Sequence, residues 1–465
     1  MSQRFSNADL AAQIRLARNA CRRIKAEPER SADLVSPLLD ILDRIVAETS
    51  SIEALRDAAA TALGKVTGAA AGGGYEDAAG RLLDRLDMGD PGASDTLAGI
   101  IRAEHEFWAG CEKAIQGEIA QSSAVAAQET ISSAAMIDTV RLADFINSRI
   151  AGEGAVRVTG AKVASEGFSK LTLFVGLEGN RTLPDELVIR MDKAFNYLGT
   201  TVTDEYSTIE LLYRSGVPVP QPFAVEETGD VLGGPFLLVS RCAGANVGRP
   251  FVPPGASRAA FASVGAALAA THGVGVPAGM RTGPDRTDTR PYIYHELDSY
   301  EAKWRETGGV CPALDAALAW ARQNVDSAIG AEAIVHNDFN FHNLLIDGDR
   351  VTGVVDWEFV HIGNPAADIG YLRSAIDLGI GLDAFLDDYV AAGGRRPSQQ
   401  EIDFYTLWGH LRLAIMSFQT EKGFREGRFE DPRYGLAGVH FMRKPILGVT
   451  TTLSHILERE KVVVA

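Results

Sequence analysis

The sequence predicts an α+β protein: a small antiparallel sheet interrupted by one helix, followed by a mainly helical half and preceded by further helices. Three observations carry this. Apolar residues recur at helical spacing from residue 1 to about 119. Short runs rich in Val, Leu, Phe and Thr crowd residues 156–240. Beyond Gly244 the helical spacing returns, with one hairpin inside it.

In the first region Leu34, Leu38, Ile41, Leu42 and Ile45 share a helix face, and Ser50 with Glu53 forms a capping-box pattern before Leu55, Leu63 and Val66. Gly72-Gly73-Gly74 breaks the pattern, and Leu82, Leu83 and Leu86 resume it. Leu97, Ile100, Ile101, Phe107, Trp108, Cys111, Ile115 and Ile119 mark a long amphipathic helix, most simply read as core. The Ala-, Ser-, Gln- and Thr-rich stretch 120–136 reads as a linker. A helical face (Leu142, Phe145, Ile146) follows it. Strands are expected at Val156–Thr159, Leu171–Leu177, Leu187–Met191, Pro222–Glu226 and Phe236–Ser240, with a helix at Asp204–Ser215 ended by Gly216-Val217-Pro218. Ala256–His272 and Leu314–Ile329 are further helices, and Ser398–Glu401 is another capping box. The hairpin is Leu344–Ile346, a turn at Asp347-Gly348-Asp349, and Val351–Val355.

Composition narrows the function. The chain has 465 residues, 46% of them apolar, which is ample for a large core. It carries 45 Lys+Arg against 61 Asp+Glu, a net charge of −16, and neither end is basic, which argues against nucleic-acid or anionic-membrane binding. The N-terminus lacks the apolar run of a signal peptide, and no stretch is long and apolar enough to span a bilayer. Cys21, Cys111, Cys242 and Cys311 are too dispersed for a zinc pattern and too few to staple the chain, and the histidines show no ligand spacing; a cytoplasmic protein with free thiols is expected.

The chemistry concentrates in His336-Asn337-Asp338-Phe339-Asn340-Phe341-His342-Asn343, the hairpin, and Asp356-Trp357-Glu358. Phosphoryl transfer from ATP needs a carboxylate to orient a hydroxyl and take its proton, and hard oxygen ligands for Mg²⁺. Asp338, the Asn343 amide five residues on, and Asp356 beyond the hairpin supply that set. The tight turn near Gly348 folds Asp356 back toward Asn343.

This segment resembles the catalytic loop of protein kinases and of the aminoglycoside phosphotransferase family. Trp357-Glu358 after the second carboxylate is similar to the small-molecule kinases, and Gly363-Asn364-Pro365-Ala366-Ala367-Asp368 to the segment that follows there. Glu166–Val175 resembles the family's nucleotide loop, Leu187–Arg190 its third strand with Arg for the usual Lys, and Asp204-Glu205-Tyr206 the helix that supplies a Glu partner. Tyr300–Trp304 resembles the subgroup associated with acyl-CoA dehydrogenases. The resemblance covers roughly residues 138–440.

It implies a two-lobed protein-kinase-like domain over 137–465, with lobes at about 137–243 and 244–465, and an extra all-α domain at 1–130. It implies an ATP- and Mg²⁺-dependent kinase acting on a small-molecule hydroxyl, a hydroxyacyl-CoA or related alcohol, with aminoglycosides or a non-catalytic nucleotide-binding scaffold as alternatives. Asp338 would be the base, and Asn343 and Asp356 the metal ligands. Gly167, Phe168, Ser169 and Lys170 would cover the phosphates, Arg190 positioned by Glu205 would contact them, and adenine would rest against Ser240-Arg241-Cys242. His336 and Asp368 are expected to be structural, and His342 to face either solvent or substrate. Arg190 and Glu205 could alternatively be a surface pair. Asn337 stands where the family usually has Gly, a change expected to be neutral for the backbone; Lys170 replaces an Asn and adds a charge near the phosphates. The N-terminal helices remain a surface for a protein partner or self-association.

Overall fold

The computed structural model describes residues 91–122, 137–150, 155–166, 170–179, 182–192, 200–248, 254–277, 290–309, 311–428, 434 and 443–464. The helices expected before residue 91, most of the 120–136 stretch and Gly167–Ser169 lie outside these residues. In chain order the elements are α1 (Pro91–Ser122), α2 (Thr139–Arg149), β1 (Arg157–Glu166), β2 (Lys170–Glu178), β3 (Glu186–Asp192), α3 (Val202–Arg214), β4 (Pro222–Glu226) and β5 (Phe236–Ser240). Then come α4 (Arg258–His272), α5 (Tyr292–Thr307), α6 (Pro312–Gln323), β6 (Ala333–Val335), β7 (Leu344–Asp347), β8 (Arg350–Val354) and β9 (His361–Gly363). The chain continues through α7 (Ala366–Gly379), α8 (Leu382–Ala391), α9 (Gln399–Arg425) and α10 (Arg443–Val464).

The contacts group the chain into two compact units: 128–292 with 330–398, and 1–127 with 293–329 and 399–465. The first holds the five-stranded sheet, ordered β1-β2-β3-β5-β4 and antiparallel throughout. Alternation along β2 and β3 buries Leu173, Val175, Leu177, Leu187 and Ile189 on one face. Helix α2, N-capped by Asp138 on the amides of Val140 and Arg141, lays Leu142, Phe145 and Ile146 into that core. Helix α3 is closed by a capping box between Thr201 and Asp204 and runs beside β4, β5 and β3. Gly244 (φ +84°) hugs the β7–β8 hairpin: a Cβ there would come 2.3 Å from the Ile346 carbonyl oxygen. Ala245 and Ile346 exchange main-chain hydrogen bonds of 3.1 and 3.0 Å, so the segment after β5 is pinned to the hairpin.

The described residues of the second unit are helical. Helix α1 packs on α6 and α10 and belongs with them. The reason is chemical as well as apolar. Helix α6 begins at Pro312 with no side-chain cap of its own from Cys311. Glu104, buried on α1, accepts hydrogen bonds there from the Cys311 thiol (2.7 Å) and the Ala313 amide (2.8 Å). Burial pushes the Glu104 carboxyl up, and burial with the neighbouring carboxylate pushes the Cys311 thiol up as well. Glu104→Ala would remove the acceptor of the Cys311 thiol, the Ala313 amide and the Trp108 indole N–H (3.4 Å), so a loss on the order of 2–4 kcal/mol is expected. Urea denaturation against wild type checks it, and an unmoved midpoint would show that the contact carries no stability. None of the described helices is long and apolar enough to cross a membrane.

Candidate active site

Strand β6 pairs with β9 and delivers the chain into the loop that begins at His336. His336 is fully buried: its Nε2 donates to the Val355 carbonyl (3.0 Å) and its Nδ1 accepts from the Asp338 amide (3.2 Å). Asp368, at the start of α7, accepts from the main-chain N–H of His336 (2.9 Å) and Asn337 (2.6 Å) and from His272 Nε2 (3.0 Å). Burial raises its pKa, but the bond and charge of His272, His336 and these amides outweigh it and hold Asp368 below the usual carboxylate range. Both residues therefore brace the loop, as expected of structural groups.

Asn337 is not backbone-neutral. It sits at φ +63°, in the left-handed region where Gly is free and Asn is the best-tolerated side chain. Asn337→Ala should be less stable than Asn337→Gly by about 1 kcal/mol, read by thermal or urea melting. Equal stability would mean that the loop relaxes out of this conformation.

Asp338 is held from several sides. The Asn343 amide donates to its carboxylate (2.7 Å) and to its carbonyl (3.0 Å), Tyr371 of α7 donates to the carboxylate, and His342 Nε2 lies 3.5 Å away. Burial works against the charge, yet the contacts with His342, Tyr371 and His336 prevail and lower its pKa, so the group is an ionised carboxylate at neutral pH. His342 is pushed up, since Asp338 and Asp356 overcome its burial. His342 thus faces the carboxylates.

Asn343 spends its NH₂ on Asp338, which leaves its amide oxygen available as an acceptor. Its carbonyl accepts from the Val355 amide (3.0 Å), so the residue before Asp356 is tied to Asn343. Asp356 itself is at φ +71°, a second left-handed residue, at the mouth of the β7–β8 hairpin. An amide oxygen and a carboxylate so placed fit Mg²⁺, which takes few protein ligands and completes its shell with phosphate and water oxygens.

A chain of charges runs from Asp356 into the sheet. Arg190 Nη2 donates to Asp356 (2.5 Å), and its Nε lies 3.5 Å from Glu205. Lys170 Nζ lies 3.6 Å from the other Glu205 oxygen and donates to Asp192 (2.5 Å) and to the Thr200 carbonyl (2.7 Å). Burial disfavours the charged form of Arg190, but Glu205, Asp356 and Glu358 more than compensate and hold it protonated. Glu205 is 1% exposed, so the pair is buried and the surface reading fails. Burial pushes the Glu205 carboxyl up, against the pull of Arg190 and Lys170.

Asp338, Asn343, Asp356, Arg190, Glu205 and Lys170 thus form linked networks within one compact unit. Lys170 faces inward to the sheet–helix joint, a correction to its expected place beside phosphates. Gly167, Phe168 and Ser169 lie outside the described residues. Ser240 Oγ accepts from the Gln221 amide (2.9 Å), and Cys242 packs at Gly353 with its thiol pushed up to about 11 by burial. Sequence reasoning missed Asp192, Tyr371 and His272. None of the three carries a local signal: Asp192, for one, is set by its register opposite Lys170 at the end of β3.

Comparison with known proteins finds relatives over the residues that hold this site. Residues 160–406, more than half of the chain, match the model of the phosphotransferase enzyme family, known as APH. Mouse acyl-CoA dehydrogenase family member 10 is 26% identical over 196 residues, 40% of this chain and 18% of that protein. Rat acyl-CoA dehydrogenase family member 11 is 26% identical over 176 residues, 36% of this chain and 22% of that protein, so the match spans about a fifth of these relatives. Homoserine kinase of Methylobacillus flagellatus is 30% identical over 243 residues, 47% of this chain and 70% of the kinase. A solved structure from Ralstonia eutropha, assigned as an aminoglycoside phosphotransferase, superposes with a TM-score of 0.52 at 20% identity, covering 68% of this chain and 98% of that one. That likeness shows the protein-kinase-like α+β fold that the sequence predicts. On the matched residues 160–406, the chain belongs to the phosphotransferase enzyme family.

Proposed function

We propose that this phosphotransferase moves the γ-phosphate of ATP to the hydroxyl of a small molecule. The observation that carries the reading is the junction of Asp338, Asn343 and Asp356, held by the Asn343–Asp338 bond of 2.7 Å and the Arg190–Asp356 bond of 2.5 Å. Asp338 orients the acceptor hydroxyl and takes its proton. Asn343 and Asp356 would hold Mg²⁺, which supplies neutralisation of phosphate charge. Arg190, steadied by Glu205, contacts the phosphates. The Ser240–Cys242 connection would receive the adenine; the expected phosphate cover at Gly167–Ser169 lies outside the described residues. The catalytic gain in a direct transfer to the acceptor hydroxyl comes from positioning and electrostatics.

For the acceptor, the acyl-CoA dehydrogenase relatives support a hydroxylated acyl-CoA, and the homoserine kinase relative supports a free small alcohol. ADP release from ATP and Mg²⁺ over a panel of hydroxyacyl-CoAs, amino alcohols and aminoglycosides decides among them. Turnover with a hydroxyacyl-CoA is the expected outcome. Turnover confined to aminoglycosides would contradict that choice, and nucleotide binding with no turnover on any would favour a non-catalytic scaffold.

A further inference from the structure

We propose that Lys170 is a positioning residue for the nucleotide: it splits the charge of Glu205 and fixes helix α3 to the sheet, leaving Arg190 free to serve Asp356 and the phosphates. The inference rests on the kinase reading of the site and goes beyond it by assigning work to a residue that touches no reacting atom.

Lys170 opens β2 and is only 3% exposed, a costly place for an ammonium unless its three donors are used. Two are: one meets Asp192 at 2.5 Å and one the Thr200 carbonyl at 2.7 Å. The third side of the ammonium faces Glu205 Oε1 at 3.6 Å. Asp192 in turn accepts from the amide of Val202, the first residue of α3, at 3.2 Å. One buried cation therefore joins the start of β2, the end of β3, the lead into α3 and the glutamate of α3.

Glu205 lies between two cations and makes a hydrogen bond to neither. Among the described residues neither carboxylate oxygen has a hydrogen-bond donor, while Arg190 Nε stands at 3.5 Å on one side and Lys170 Nζ at 3.6 Å on the other. Coulomb attraction at such separations is large in a low-dielectric interior, so the carboxylate is balanced between them. Without Lys170 the whole attraction would fall on Arg190 and draw its guanidinium toward Glu205, away from Asp356.

Because Lys170→Met alone leaves Asp192 and Glu205 under-compensated, the test uses Lys170→Met/Asp192→Asn, which removes one charge of each sign. ADP with Mg²⁺ is titrated calorimetrically into the full-length wild type and the double variant, and ATP kinetics are measured alongside. The expected result is a folded double variant with affinity for ADP roughly tenfold weaker, the size of one lost charge-assisted contact, and with the kinetic loss in KM for ATP more than in kcat. Unchanged ADP affinity in a folded double variant would overturn the proposal while leaving the kinase reading intact. Absence of ADP binding by the wild type would overturn both. Amide exchange on the wild type needs no variant: ADP should slow exchange over 200–206, and no change there would also overturn the proposal.

Discussion

Asp338→Asn is expected to cut phosphoryl transfer by roughly 10²–10⁴ while nucleotide binding persists. The substitution keeps the shape of the side chain and an oxygen for the Asn343 amide, whose bond to Asp338 is 2.7 Å. It removes the proton acceptor. Because contacts with His342, Tyr371 and His336 hold Asp338 below the usual carboxylate range against its burial, the carboxylate is ionised near pH 7, and a proposed base of this kind needs no activation by rising pH. Steady-state turnover on the true acceptor, together with ADP titration, checks this. Near-wild-type turnover would show that another group takes the proton.

The second large effect is at Asp356. Its φ of +71° makes alanine a poor probe, since a Cβ residue without a polar side chain is strained there. Asparagine tolerates that conformation, so Asp356→Asn isolates the charge. Binding of nucleotide in the presence of Mg²⁺ should weaken on the order of 10²-fold, because a carboxylate ligand and the partner of Arg190 are both neutralised. Calorimetric titration of ATP with and without Mg²⁺ reads the effect. A metal dependence equal to that of wild type would remove Asp356 from the metal site.

Much of this arrangement was legible in the sequence because its signals are local. The strands Pro222–Glu226 and Phe236–Ser240 match the apolar runs residue for residue, and the hairpin follows from Asp347-Gly348-Asp349, where Gly348 has φ +59°. The spacing from Asp338 to Asn343 and Asp356 indicated the carboxylate–amide–carboxylate junction for the same reason. What was not legible depends on pairing between distant segments. Strands β6 and β9 have three residues each, too few for any period, and exist because 333–335 finds 361–363. The inward turn of Lys170 is fixed by its register opposite Asp192, which no run along the chain reveals. The Glu104 cap lies about two hundred residues from the helix it serves, so the apolar face of α1 could be read but its partner could not.

In the proposed mechanism Asn343 and Asp356 form a metal–nucleotide site beside Asp338. Titrating the wild-type protein with ATP in saturating Mg²⁺, and again in EDTA, tests it most directly. Binding at least about tenfold tighter with the metal is expected, since the phosphates and two protein oxygens would share one cation. Binding of equal strength in EDTA, or no binding of ATP in either condition, would contradict it.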